Sequence, residues 1–236
     1  MSIKVTFVEE THKYYNNLGD EYISCTNLIK KFTPEFKSEE LAKKISARDN
    51  IPVKDILAKW EKAGKDATDF GTTIHKCMEG YIKHNPLLID NKWKDTTKPG
   101  YQLLLDEAKD AEIESEKLLF NHEYKIAGQS DVIFTNNHVI YNIADFKTNK
   151  KIDFHSKYNE YMLYPLNHLQ HCNYNEYALQ LSLYAFMLMN MLQNETHIGR
   201  MFLLHFNKET TIWTKIPIPY MKHEIMVLLK HWKQCS

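Results

Sequence analysis

Over about residues 113–148 the hydrophobic period drops from that of a helix to that of a strand and stays there. Three strands fit the stretch, at about 114–124, 126–134 and 138–147, the last two joined around Asn136-Asn137. Strands in succession pair as a meander, and the apolar face of such a sheet must be covered. A cover is present downstream: residues 174–192 are apolar on nearly every side, as a buried helix is. Between them, 149–173 are polar and irregular and predict a long loop.

The flanks fit the same architecture. Residues 4–8 and 12–24 alternate around Gly19-Asp20 and predict two or three short strands. Thr26 is placed to N-cap a short helix over 27–31 that Pro34 ends. A lysine-rich helix follows from Ser38 through Leu41 and Ile45, and a third runs through Ile56, Leu57 and Trp60 until Gly64 breaks it. Ile74, Met78, Tyr81 and Ile82 form one stripe of a helix over 68–83, closed by Asn85-Pro86. Residues 100–111 form another, with Tyr101, Leu104 and Leu105 inward. Strands near 199–206 and 210–216 and a helix from about Tyr220 finish the chain. The expectation is an α+β fold, a mixed sheet flanked by helices, in one domain over 1–236. Residues 1–67 would decorate a core formed by 68–236.

No apolar run approaches the ~20 residues of a membrane span, and the start lacks the apolar core of a signal peptide, so an intracellular protein is expected. Cys25, Cys77, Cys172 and Cys235 lie far apart, make no CxxC pair and read as free buried thiols. The net charge is zero and Arg48 and Arg200 are the only arginines, so phosphate contacts would fall to lysine.

The chemistry is concentrated in a few places. In Ile143-Ala144-Asp145-Phe146-Lys147, strand alternation sets Asp145 and Lys147 on one face. Such an acid can hold a divalent cation while the lysine steadies a water or a phosphate; the plain alternative is a surface ion pair. Asp131 sits amid apolar residues on the preceding strand. For both acids to share a face the connection must hold an odd-length loop, for example 135–137, which pairs Asp131 with Tyr141, or a bulge. Gly128 offers a point of close approach for another backbone or a substrate. His75 shares a helix face with Glu79, and alone reads as a packed histidine. Glu116 on the first meander strand could reach the same end of the sheet, with Glu114 as its rival. Gln180 and Tyr184 lie one turn apart on the apolar helix, with Tyr177 a turn earlier, and the buried amide needs a partner in the core or at a site. His168, His171 and Cys172 have zinc-like spacing without a fourth ligand, and packing is the simpler reading.

In order, these pieces are Gly71/His75, Glu116, Gly128/Asp131, Asp145/Lys147 and Gln180/Tyr184. The series GxxxH, E, GxxD, DxK, QxxxY resembles the RecB-like branch of the PD-(D/E)XK nuclease superfamily, which includes phage-type recombination exonucleases and the mitochondrial genome maintenance exonuclease. The resemblance spans about residues 20–206, including Ser24-Cys25-Thr26 at the front. It implies a restriction-endonuclease-like core and a site for one or two Mg²⁺ or Mn²⁺ ions. His75, Asp131, Asp145 and the Phe146 carbonyl would be the ligands, with Glu116 nearby. Lys147 would act on the water or the phosphate. Gln180, Tyr184 and Tyr177, with Thr72, Ser24 and Thr26, would brace Lys147 or contact DNA. The implied activity is a metal-dependent deoxyribonuclease, an exonuclease on DNA ends or single strands in recombination, repair or replication-end processing. It would act in the cytoplasm, in a host cell if the protein is viral, and would suit a strand-annealing partner. An endonuclease or an inactive DNA-binding protein on the same core are the rivals. Ser130 departs from the apolar residue or proline usual before the acid. The iron–sulfur cluster of some relatives is not expected, because only Cys235 follows Tyr184.

Overall fold

The computed structural model describes residues 3–192 and 196–235. A hairpin of β1 (Val5–Val8) and β2 (Lys13–Asn16) leads through β3 (Glu21–Ser24) into four helices, α1 (Cys25–Lys30), α2 (Ser38–Asp49), α3 (Val53–Ile82) and α4 (Lys94–Ala108). The meander follows as β4 (Glu112–Asn121), β5 (Ile126–Thr135) and β6 (Ile140–Lys147). Helix α5 (Asn173–Leu192), strands β7 (His197–Asn207) and β8 (Ile212–Ile218), and helix α6 (Lys222–Cys235) complete the described chain. All eight strands join one mixed sheet in the order β1-β2-β3-β5-β6-β7-β8, with β4 on the other edge of β5. The β3/β5 and β6/β7 pairs are parallel and the remainder antiparallel.

One consequence of that order positions the site. Strand β5 pairs with β4 from Ile126 to Thr135, so β3 and β6 must share its other edge. The β3 pairing reaches only Ala127, and the β6 pairing begins only at Val132. Residues 128–131 therefore line a fork where two neighbouring strands part, and Gly128 and Asp131 are its ends.

Helices cover both faces. Ile133, Ile143 and Leu203 pack with α1, α5 and α6, while Val132, Phe134, Ala144, Phe146 and Leu204 pack with α3 and α4. Apart from Ala144, each of these buried side chains contributes about 1.5–3 kcal/mol. Ile126 and Val132 have the same parity on β5 yet join opposite clusters. The sheet turns over between them, at the level of the fork.

Several local expectations are corrected. Helix α3 runs unbroken for 30 residues through Gly64. A helical glycine costs about 1 kcal/mol against alanine, too little to end a helix secured on both sides. Position 67/68 thus lies inside α3 rather than at a boundary. Ser24, not Thr26, caps α1, its Oγ accepting from the Asn27 amide at 3.1 Å, and Thr26 stands exposed on the helix. Helix α4 begins at Lys94, with Pro99 inside it, and Thr97 donates its hydroxyl to the Trp93 carbonyl at 2.8 Å. Leu104 is fully buried as expected, whereas Leu105 is only half-buried. Residues 148–172 hold no helix or strand, only an isolated bridge between Tyr161 and Gln170. Among the described residues no helix is long and apolar enough to cross a membrane. All four cysteines are free, but Cys235 is exposed rather than buried.

The β5–β6 connection is odd in register, but five residues, 136–140, rather than three separate its last pair, Thr135 and Tyr141, with Ile140 already on β6. Asn137 explains the extra length: its Oδ1 accepts from the Val139 and Ile140 amides at 3.1 and 3.0 Å. Carried one step past Val132/Ala144, the register sets Asp131 across from Asp145 rather than pairing it with Tyr141.

Candidate metal centre

On the other side of Asp131 stands Glu116. Ser115 pairs with Val132 and Lys117 with Ser130, so the register brings Glu116 directly opposite Asp131. Glu116 itself drops out of the ladder and takes a φ of +53°. A left-handed glutamate in a strand is strained, by about 1–3 kcal/mol. Three adjacent strands thus carry Glu116, Asp131 and Asp145 at one level, beside the fork.

Helix α3 supplies the fourth group. His75 Nδ1 lies 3.4 Å from Asp131 Oδ2, and its ring meets Phe146 edge-on at 5.7 Å. A Cβ on Gly71, one turn earlier, would sit 3.2 Å from Thr148 Oγ1, so the glycine lets α3 settle against the end of β6. Ligand atoms of His75, Glu116 and Asp131 all lie within 4.8 Å of one another, an arrangement that could hold a metal ion. Asp145 falls outside that group. Phe146 reaches the group through its amide, which donates to Asp131 Oδ2 at 2.7 Å, and its side chain is buried against α3 and α4.

Asp145 is paired instead with Lys147. Its buried Oδ2 lies against the ammonium but receives no well-angled hydrogen bond. Lys147 is held from α5: Nζ donates to Gln180 Oε1 at 3.3 Å and stands 4.6 Å from the Tyr177 ring. The Gln180 amide in turn donates to the Tyr184 hydroxyl at 2.9 Å, and Tyr177 donates to Asn149 Oδ1 at 2.7 Å. Gly128 is approached not by backbone but by Tyr184, whose ring carbon would lie 2.7 Å from a Cβ placed there.

The charges are coupled. Burial pushes the Glu116 carboxyl up to about 7, with Asp131 adding to the shift. Burial and then Asp131 push Asp145 up to about 6. Against the effect of its own burial, Asp131 is held below the usual carboxylate range by His75 and Lys147, and by the Phe146 amide. His75 and Lys147 are each raised despite burial, His75 chiefly by Asp131 and Lys147 chiefly by Asp145.

A cleft of about 680 Å³ opens over His75, Glu116 and Asp131, and Thr72 and Glu79 line it too. Ser24 is outside it, on a second cavity with Asn27 and Lys125, and Thr26 lines neither. Gln129, Lys76 and Lys83 line the cleft but are not among the residues predicted from sequence. Alternation from Asp131 would have found Gln129, and the helical period from His75 would have found Lys83. Phe7 and His12 also reach the cleft, through sheet pairing that no local signal reveals. Glu114 is an ion-pair partner of Lys117 rather than a member of the acid group. His168 faces Glu224, and His171 lies between Glu160 and Glu176. Among the described residues, neither histidine nor Cys172 belongs to a group with metal-binding spacing.

No family model and no curated protein matches the chain in sequence. A solved chain described as "Crystal structure of SSO0001" is similar at a TM-score of 0.36 and 14% identity, over 91% of this chain and 75% of that one.

Proposed function

We propose that this chain is a divalent-metal-dependent deoxyribonuclease with a restriction-endonuclease-like core of the PD-(D/E)XK kind, and that it acts as an exonuclease on DNA ends or single strands. The observation that carries the reading is the convergence of His75, Glu116 and Asp131 beside the Asp145–Lys147 pair. One imidazole with carboxylate oxygens suits Mg²⁺ or Mn²⁺, and the Asp145 carboxylate, paired with Lys147, stands beside them. His75, Glu116, Asp131 and Asp145 would hold the ion, with the Phe146 carbonyl as an additional donor. A bound ion of this kind supplies Lewis acidity and lowers the pKa of water.

The residues themselves account for the rest. Lys147 Nζ, steadied by Gln180 and Tyr177, is positioned to donate to a non-bridging phosphate oxygen or to an attacking water. Hydrolysis joins the water oxygen to phosphorus and breaks one phosphorus–oxygen bond, and the departing sugar oxygen leaves with a proton. Thr72, Lys76 and Lys83 border the cleft where the DNA backbone would enter.

The test uses 5′- and 3′-labelled single- and double-stranded DNA, with covalently closed circles alongside, in Mg²⁺, Mn²⁺ or chelator. Metal-dependent shortening of linear DNA is expected, abolished in Asp145→Ala and Lys147→Ala proteins that keep their circular dichroism. Opening of the circle would convert the reading to an endonuclease. DNA binding without turnover in either metal would make the chain a binding protein. Full activity in Asp145→Ala would overturn the assignment.

A further inference from the structure

Single exposed apolar side chains are ordinary on a protein surface, and clusters are not. Five aromatic side chains are exposed among the described residues. Only Phe36 lies elsewhere; Phe154, Tyr158, Tyr161 and Tyr164 all fall in the loop that follows Lys147. Part of that loop reaches helix α5, on the side that carries Tyr177. From Lys147 the first ring is Tyr177, and the next on the same face of α5 is Tyr174, one turn nearer the helix start. Phe154 packs on Tyr174 with centroids 4.7 Å apart and is itself 51% exposed. Tyr158, a few residues on, is 80% exposed.

Tyr174 and Tyr177 are held through their hydroxyls, and the backbone between Phe154 and Tyr158 is held by a turn. Tyr177 is tied by its hydroxyl to Asn149, and Tyr174 by its hydroxyl to the Pro217 carbonyl at 3.1 Å. Ser156 Oγ accepts from the amides of Tyr158 and Glu160 at 3.4 and 3.0 Å, and Gln170 accepts from the Ser156 amide, which holds the turn between Phe154 and Tyr158. Lys150 and Lys151 precede Phe154, and Lys157 lies between it and Tyr158. Their partners are Glu209 and Asp153, with lysine side chains 80%, 73% and 64% exposed. Glu209 is 64% exposed and Asp153 19%, and ion pairs to such exposed lysines contribute little.

We propose that Tyr174, Phe154 and Tyr158 form a stacking track for the unpaired bases of a single nucleic-acid strand, with Lys150, Lys151 and Lys157 serving its phosphates. Fixed aromatic faces spaced among lysines are how single strands are held without regard to sequence. Duplex DNA keeps its base faces stacked internally and cannot use such a track. The proposal rests on the nuclease reading only for direction: Tyr177, beside Lys147, would mark the end nearer the acids.

The test separates the two. Phe154→Leu/Tyr158→Leu protein is compared with unaltered protein for affinity to an oligothymidylate and to an abasic strand of equal length, in Ca²⁺. Turnover of bis-(p-nitrophenyl) phosphate in Mn²⁺, which needs only the metal centre, is followed in parallel. The expected result is a loss of roughly tenfold to a hundredfold in oligothymidylate affinity, with abasic binding and small-ester turnover unchanged. Phe154→Trp/Tyr158→Phe keeps the rings and should keep the affinity. In the unaltered protein, an oligonucleotide carrying 5-iodouracil should crosslink to Phe154, Tyr158 or Tyr174. Equal affinity for abasic and base-bearing strands, or crosslinks confined to other segments, would overturn the track. A protein that binds oligothymidylate through these rings but hydrolyses neither substrate would keep the track and lose the nuclease reading.

Discussion

Glu116 stands opposite Asp131 with its backbone in the left-handed region, and at this level β4 and β5 exchange the faces they present to α5 and to α3. The strain, the buried acid and the change of face coincide at one residue. Such a coincidence points to function, because stability alone would remove it.

Glu116→Gly should therefore stabilise the metal-free protein. Relief of about 1–3 kcal/mol of backbone strain exceeds the roughly 0.5–1 kcal/mol that glycine loses in a strand, and a buried acid goes too. Glu116→Gln keeps the strain and loses the charge. Urea midpoints in chelator should rank Gly above Gln, and divalent-ion binding by calorimetry should weaken in both. A Gly variant less stable than the Gln variant would remove the strain argument.

The acids also predict an unusual pH dependence. Glu116 titrates at about 7 and Asp145 at about 6, so between the usual carboxylate range and those values the folded state binds more protons than the unfolded. Stability falls as pH rises wherever that holds. His75 is raised as well, so its contribution is present below its unfolded value and lost as pH rises through its folded one. Asp131 is lowered and has the opposite sign, but its contribution is lost only in strong acid. Thermal melts in chelator should show declining stability from about pH 5 to about pH 8. Mn²⁺ should raise the melting temperature more at the upper end, because protons compete with metal for the same oxygens. A flat or rising profile in chelator would contradict the charge coupling described.

How much of this was legible before folding depended on the range of the signal. Asp145 and Lys147 shared a face by alternation alone, and an odd loop was required to bring Asp131 across. The loop's five residues depended on the Asn137 side chain, which outcompetes a tighter turn. At Gly64 the cooperativity of a long helix outweighs a local penalty of about 1 kcal/mol, so the break expected there does not occur. Alternation placed Glu114 and Glu116 on one face and could not choose between them, since the choice turns on the change of face at Glu116. Ser24 was recognisable as a polar residue before a helix, but only the bond to Asn27 distinguished it from Thr26 as the cap. Phe7 and His12 reach the cleft through strand pairing and were invisible locally.

Gly128→Ala tests the fork directly. The added Cβ would lie 2.7 Å from the Tyr184 ring and 3.2 Å from Cys25 Sγ, both buried. Overpacking of this kind costs about 1–3 kcal/mol. Moving Tyr184 also disturbs Gln180 and, through it, Lys147. The variant should melt lower and lose more turnover than affinity. Gly128→Ala combined with Tyr184→Leu should recover stability without recovering turnover. No destabilisation in the single variant would show that the ring is free to move.

Lys147→Met asks what holds the buried pair. Removing the ammonium leaves Asp145, 2% exposed, beside Asp131 without its main counter-charge. Breaking one side of a buried pair costs about 3–5 kcal/mol when the remaining charge cannot neutralise. Asp145 already takes up a proton at about 6, and loss of Lys147 raises that value further. The penalty should therefore be large near about pH 8 and small near about pH 5, where the acid is neutral. Asp145→Asn in the same chain removes the orphaned charge and should return most of the stability at the higher pH. Denaturant unfolding of both variants at the two pH values checks this. An equal penalty at both would mean that Lys147 stabilises by packing against Tyr177 and Gln180 rather than by neutralising Asp145.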